Sequence, residues 1–180
     1  MILNKMNTNN PMRAIKIRKL TINIGAGKDP VVLEKAERLV NQLTGIPPVR
    51  TKTDKRIAAW GLRPGLPIGC KLTLRNEAAS AMIPRLLYSF ENKLSEENFY
   101  DNGNISFGIK EYIDIKDAKY DPTIGIMGLQ ASITLERPGF RIKRRKTLKR
   151  TVPINHRISK DEAIKFMKDN FKITLRSEEE

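Results

Sequence analysis

Between Leu20 and Ile24 apolar and polar residues alternate: Leu20, Ile22 and Ile24 share one face, and Thr21 and Asn23 share the other. A period of two predicts a half-buried strand within residues 14–25. A Gly25-Ala26-Gly27 turn follows, and Asp29 can cap a helix that carries Pro30 in its first turn. Val32, Leu33, Ala36, Leu39, Val40 and Leu43 then recur at helical spacing, with Gly45 placed to end the helix. Pro47-Pro48 opens a short extended piece over residues 49–53. Residues 70–75 predict a strand with Leu72 and Leu74 inward and Lys71, Thr73 and Arg75 outward. Residues 77–94 predict a helix striped by Ala78, Met82, Leu86, Leu87, Phe90 and Leu94. Pro84 falls inside it, so either the helix kinks there or its regular part starts near Ile83. Phe107, Ile109, Ile113 and Ile115 mark another strand, and residues 117–125 a loop. Leu129, Ala131, Ile133 and Leu135 alternate with Gln130, Ser132, Thr134 and Glu136 in the clearest strand of the chain. Ser159 with Glu162 forms a capping-box pattern for a last helix that buries Ala163, Ile164, Met167 and Phe171. Residues 172–175 suggest a final short strand.

Strand pairs without helices between them argue against an all-parallel sheet. The expected fold class is α+β: a mostly antiparallel sheet with helices packed on one face, a basic loop and a basic C-terminal arm. The basic loop spans residues 54–69 and holds Trp60 among Gly and Pro turn residues. The expected organisation is a flexible leader at 1–12, one α+β domain at 13–176 that includes the arm at 137–152, and an acidic tail at 177–180.

Charge changes the picture most. The 180 residues hold 34 Lys plus Arg against 20 Asp plus Glu, a net charge of +14. Between Arg137 and Arg150, eight of fourteen residues are basic and none is acidic. Such a run repels itself until a polyanion lies beside it and its side chains displace counterions. Nucleic acid is the leading partner and an anionic membrane surface the second. The predicted outward sheet face, with Thr21, Asn23, Lys71, Thr73 and Arg75, suits the shallow minor groove of A-form RNA; a merely solvated face is the plain alternative. No apolar stretch approaches the roughly 18 residues of a membrane span, and the N-terminus lacks the pattern of a secretory signal. The single Cys70 fits a reducing compartment.

Catalytic chemistry finds little footing. Cys70 and His156 are one of each, and a lone Cys beside inward-facing Leu72 reads as core. The Gly25-Ala26-Gly27-Lys28 turn stands between strand and helix as a phosphate-binding turn would, but Pro30 occupies the place of the third glycine. One Cys and one His cannot form a zinc cage. No enzyme, metal or cofactor is expected.

Several linked motifs carry a resemblance: Leu20-Thr-Ile-Asn-Ile-Gly25, Arg63-Pro-Gly-Leu-Pro-Ile-Gly69, Phe107-Gly-Ile, Tyr120-Asp-Pro-Thr-Ile-Gly-Ile-Met-Gly128, Leu135-Glu-Arg-Pro-Gly139, and His156-Arg-Ile before Ser159-Lys-Asp-Glu-Ala163. From Pro11 onward the chain resembles the universal ribosomal large-subunit protein five family, the 5S rRNA-binding family, in its archaeal and eukaryotic branch. The resemblance implies a structural component of the large ribosomal subunit, located in the cytoplasm within the ribosome. It implies binding to 5S rRNA and to large-subunit rRNA in the central protuberance. It further implies contact with P-site tRNA, with a small-subunit head protein and with neighbouring large-subunit proteins, and no membrane. The family's 5S-binding surface is the sheet face, where its Asn, aromatic and Thr match Asn23, Trp60 and Thr73; Ile46 stands where some relatives carry Gln. The tRNA-facing loop corresponds to residues 55–66, with Lys55, Arg56 and Arg63. Beside these, the expected rRNA contacts are Arg50, Lys52, Lys71 and Arg75, together with Arg141, Lys143, Arg144, Arg145, Lys146, Lys149 and Arg150 of the arm. Trp60 either stacks on RNA or packs in the core, and His156 either bonds backbone or phosphate or simply packs. The alternative reading is a non-ribosomal basic nucleic-acid-binding protein.

Overall fold

A computed structural model describes residues 10–176. The acidic tail and residues 1–9 of the expected leader lie outside the described residues. The elements are β1 (Lys16–Gly25), α1 (Pro30–Thr44), β2 (Val49–Lys52), β3 (Pro67–Leu74), α2 (Asn76–Tyr88), β4 (Lys93–Ser95), β5 (Phe99–Tyr100), β6 (Asn104–Ile109), β7 (Leu129–Glu136), α3 (Lys160–Phe171) and β8 (Thr174–Arg176). Six strands form one antiparallel sheet in the order β2-β3-β1-β7-β6-β5. The short strands β4 and β8 pair parallel beside it. The α+β expectation holds.

Alternation builds the sheet. Leu20, Ile22 and Ile24 are buried on one side of β1, as are Leu72 and Leu74 of β3 and Ala131, Ile133 and Leu135 of β7. Leu33, Ala36, Leu39, Val40 and Leu43 of α1, and Met82, Ile83, Leu86 and Leu87 of α2, close over that side. Each fully buried Leu or Ile contributes about 1.5–3 kcal/mol, so this layer holds the sheet rigid and leaves its other side open. Asp29 caps α1 by accepting from the Val31 amide at 2.9 Å, and Gly45 ends it at φ +71°. The capping box of α3 is formed in both directions between Ser159 and Glu162.

Four expectations change. The helix after β3 ends at Tyr88: Glu91 and Asn92 take left-handed backbone, and Leu94 reaches the core from β4 instead. Ala79, not Ala78, faces inward, one residue out of the predicted phase. The helix is already formed from Asn76 and runs on through Pro84, so its regular part does not wait for Ile83; Pro84 and Ser80, whose carbonyl the missing N–H would serve, are both exposed. The predicted strand through Ile115 stops at Ile109. Tyr112, fully buried, takes the inward place, its amide donates to the Met127 carbonyl at 3.1 Å, and the turn Tyr112–Asp114 leaves Ile113 outside.

Candidate nucleic-acid interface

The open face of the sheet is polar, and its central positions carry no acid. Register aligns Asn23 with Lys71 on one side and Gln130 on the other, and Thr21 with Thr73 and Ser132. Asn104 and Ser106 continue the face on β6, opposite Thr134 and Ser132. None of these positions, nor Lys19, carries Asp or Glu. Asn23 donates to Gln130 Oε1 at 3.3 Å, and the Ser106 and Ser132 hydroxyls lie 3.0 Å apart. These bonds hold the side chains in place while leaving further donors and acceptors outward. A shallow hollow runs along them between Thr21, Asn23, Ser106, Gln130 and Ser132. Lys71 and Arg75 are exposed at its edge. Such a surface can meet ribose hydroxyls with neutral groups and phosphates with the flanking cations. Gln130, Ser132 and Ser106 are parts of this face that the sequence reading does not nominate; their place beside Asn23 follows from strand order, which alternation alone does not give.

Arg50 lies off the open face. It pairs with Cys70, an inward-facing residue, so β2 turns it to the helix side. There its Nε and Nη2 both donate to the Glu37 carboxylate, Nη2 at 3.0 Å, and the guanidinium holds that carboxyl below its usual range. Arg50 is therefore not part of the open face. Lys52 is exposed at the end of β2.

The expected irregular loop is shorter and more ordered than its composition suggests. Thr53 exchanges backbone bonds with Leu66 and Gly65 at its base, and Ile57 bonds Leu62 in both directions nearer its tip. β3 starts at Pro67, and at Gly69 a Cβ would come within 2.5 Å of the Ile24 carbonyl, so only glycine lets the strands close there. The tip carries Trp60, which is 67% exposed, settling the stack-or-core alternative in favour of the surface. Lys55, Arg56 and Arg63 of the same loop are all exposed.

The basic run folds onto the body. Arg137 is buried; its Nη1 donates to the Arg157 carbonyl at 3.0 Å and its Nη2 to Glu162 at 2.7 Å. His156 Nε2 bonds the Pro138 carbonyl at 2.9 Å and its ring meets Phe140 edge-on, so it packs and bonds backbone. Arg144 donates to Glu136 at 2.8 Å, with Lys143 and Arg18 beside the same carboxylate. Arg141, Arg145, Lys146, Lys149 and Arg150 are exposed. The sequence gives no sign of the parts played by Arg137, Glu136 and Arg18, because these depend on contacts between distant segments.

Burial pushes the Cys70 thiol up to about 11, which leaves no thiolate to act as a nucleophile near neutrality. In the turn before α1 the Ala26 amide already donates to the Ile68 carbonyl at 2.9 Å. Among the described residues no cluster of potential metal ligands occurs, and no helix is long and apolar enough to cross a membrane.

Comparison with known proteins fits this arrangement. A family model described as Ribosomal protein L5 matches residues 10–63, and one described as the C-terminus of the same ribosomal protein family matches residues 67–176. The chain is similar to the large ribosomal subunit protein uL5 of Sulfolobus acidocaldarius, 46% identical over 166 residues that cover 92% of this chain and 93% of the relative. It is also similar to the proteins of the same name from Nanoarchaeum equitans, 45% identical with 92% and 98% covered, and from Methanosphaera stadtmanae, 42% identical with 92% and 99% covered.

Proposed function

Because the chain belongs to the ribosomal protein L5 family, and so is a structural, non-enzymatic protein of the large ribosomal subunit, we propose that it binds 5S rRNA through the open sheet face. The observation that supports this most is a face whose centre is Asn, Gln, Ser and Thr with no acid among them, whose margins are Lys and Arg, and whose one acid, Glu136 at the end of β7, is buried under cations. On this reading Asn23, Thr73, Gln130 and Ser132 orient the RNA, while Lys71, Arg75 and the cations of residues 141–150 supply the electrostatic attraction. The arm then reaches large-subunit rRNA and ties the two RNAs together in the central protuberance. The loop with exposed Lys55, Arg56 and Arg63 faces the P-site tRNA, where its cations meet phosphates, while Trp60, 67% exposed, has a ring open for stacking on rRNA. Contact with a small-subunit head protein belongs to the same reading.

Binding to 5S rRNA should be saturable and steeply salt-dependent, with log affinity falling by roughly 0.7–0.9 per neutralised phosphate for each decade of salt. Binding no tighter than to random RNA of equal length would defeat the proposal.

A further inference from the structure

Glu136 ends β7 at a position that alternation assigns to the open face, with Gln130, Ser132 and Thr134. It is nevertheless buried, 8% exposed, because cations from two distant segments cover it. Arg144 Nη2 donates to Oε2 at 2.8 Å, Arg18 Nε lies 3.6 Å from that oxygen, and Lys143 Nζ lies 3.7 Å from Oε1. Arg18 arrives there through a break in register. Ile17 faces Leu135 and Lys19 faces Thr134, so Arg18 is an extra residue in β1. Without that bulge Arg18 would share the inward phase of Leu20 and Ile22; the bulge re-aims it. Lys16 and Arg141 line the same cleft.

One carboxylate cannot neutralise five cations. The three bound to it keep side chains 44%, 42% and 41% exposed, so most of their donors still face outward. Ion pairs with partners this exposed add little to fold stability, roughly 0–1 kcal/mol. What Glu136 changes is order: it offsets the mutual repulsion of the run and fixes where its cations stand. The roots of the arm are held separately, by Arg137, by buried Phe140 and by the His156 bond to Pro138.

We propose that Glu136 is a positioning residue for RNA binding: it gathers Arg18, Lys143 and Arg144 into a preformed phosphate-accepting ridge, continuous with the open sheet face, before RNA arrives. This rests on the reading of that face as the rRNA-binding surface. Preforming the ridge removes part of the ordering cost that a loose arm would incur on binding.

The test compares the full chain with its Glu136→Gln variant. In RNA-free protein, trypsin should cut within residues 141–150 several-fold faster in the variant, while the melting temperature stays nearly unchanged. Affinity for 5S rRNA should fall roughly tenfold, the equivalent of ordering a few long side chains, and the preference over random RNA should shrink. Cleavage unaffected by the substitution overturns the proposal, and so does affinity that is equal or higher, since Glu136 would then merely oppose the phosphates. Should the variant not fold, Arg144→Gln, which removes the shortest contact but leaves the carboxylate its other partners, is read by cleavage at Arg145, Lys146 and Lys149. A wild-type chain that does not distinguish 5S rRNA would sink the functional reading, and the trypsin comparison would still decide whether Glu136 positions the arm.

Discussion

Asn23 and Thr73 stand on neighbouring strands of the open face, and neither supports the core. Replacing both with Ala should weaken 5S rRNA binding by about 1–3 kcal/mol in a filter-binding titration, at about 0.5–1.5 kcal/mol per lost hydrogen bond. The melting temperature should hardly move. Arg50→Ala is the matched control: its side chain bonds Glu37 on the helix side, so RNA affinity should stay within about twofold of wild type. Arg137→Met should behave in the opposite way. It leaves the Arg157 carbonyl without its partner and Glu162 without its cation, so chemical denaturation should show a loss of about 2–4 kcal/mol. Asn23 was legible in the sequence because Leu20, Ile22 and Ile24 fix the phase of its strand. Arg50 was not, because β2 reads Val-Arg-Thr-Lys and even its one apolar residue, Val49, is 65% exposed. Nothing in that tetrapeptide says which side is inward; pairing with Cys70 decides it.

The elements with strong local signals form where their residues indicate. Asp29 and Gly45 bracket α1, and Ser159 with Glu162 opens α3. Ser159→Ala should therefore cost about 1 kcal/mol of stability, seen as a lowered denaturation midpoint. Elements whose identity depends on a distant partner are harder to read. Leu94 and Leu175 sit in strands of three residues, too short for any periodicity, that exist because β4 and β8 meet each other. Residues 67–69 look like loop because Pro67 and Gly69 punctuate them, yet Gly69 is needed for β3 to approach Ile24 closely. The bulge in β1 does leave a trace. Ile15 and Ile17 fall on odd numbers and Leu20, Ile22 and Ile24 on even ones, so the apolar phase slips once, at Arg18.

At the scale of the whole molecule, one side holds the fold and the other is left for a partner. The helix side carries the groups whose titration is coupled to folding. Cys70 is raised by burial from the ordinary 9.0 to about 11, so between those values the unfolded chain has lost a proton that the folded chain keeps. Stability should therefore fall as pH rises through that window, and Cys70→Ala should flatten the decline. Glu37 has the opposite sign: its pKa is lowered by Arg50, so the pair's contribution is present above the usual carboxylate range and lost as pH falls through the lowered value. The net charge of +14, by contrast, bears on association. Lysine-reactivity footprinting of the full chain, with and without 5S rRNA, separates the two sides most directly. Lys19 and Lys71 should become protected while Lys165 and Lys168 on α3 react as before. Protection of Lys165 and Lys168 with Lys19 and Lys71 unchanged would place the RNA on the wrong side and contradict the account.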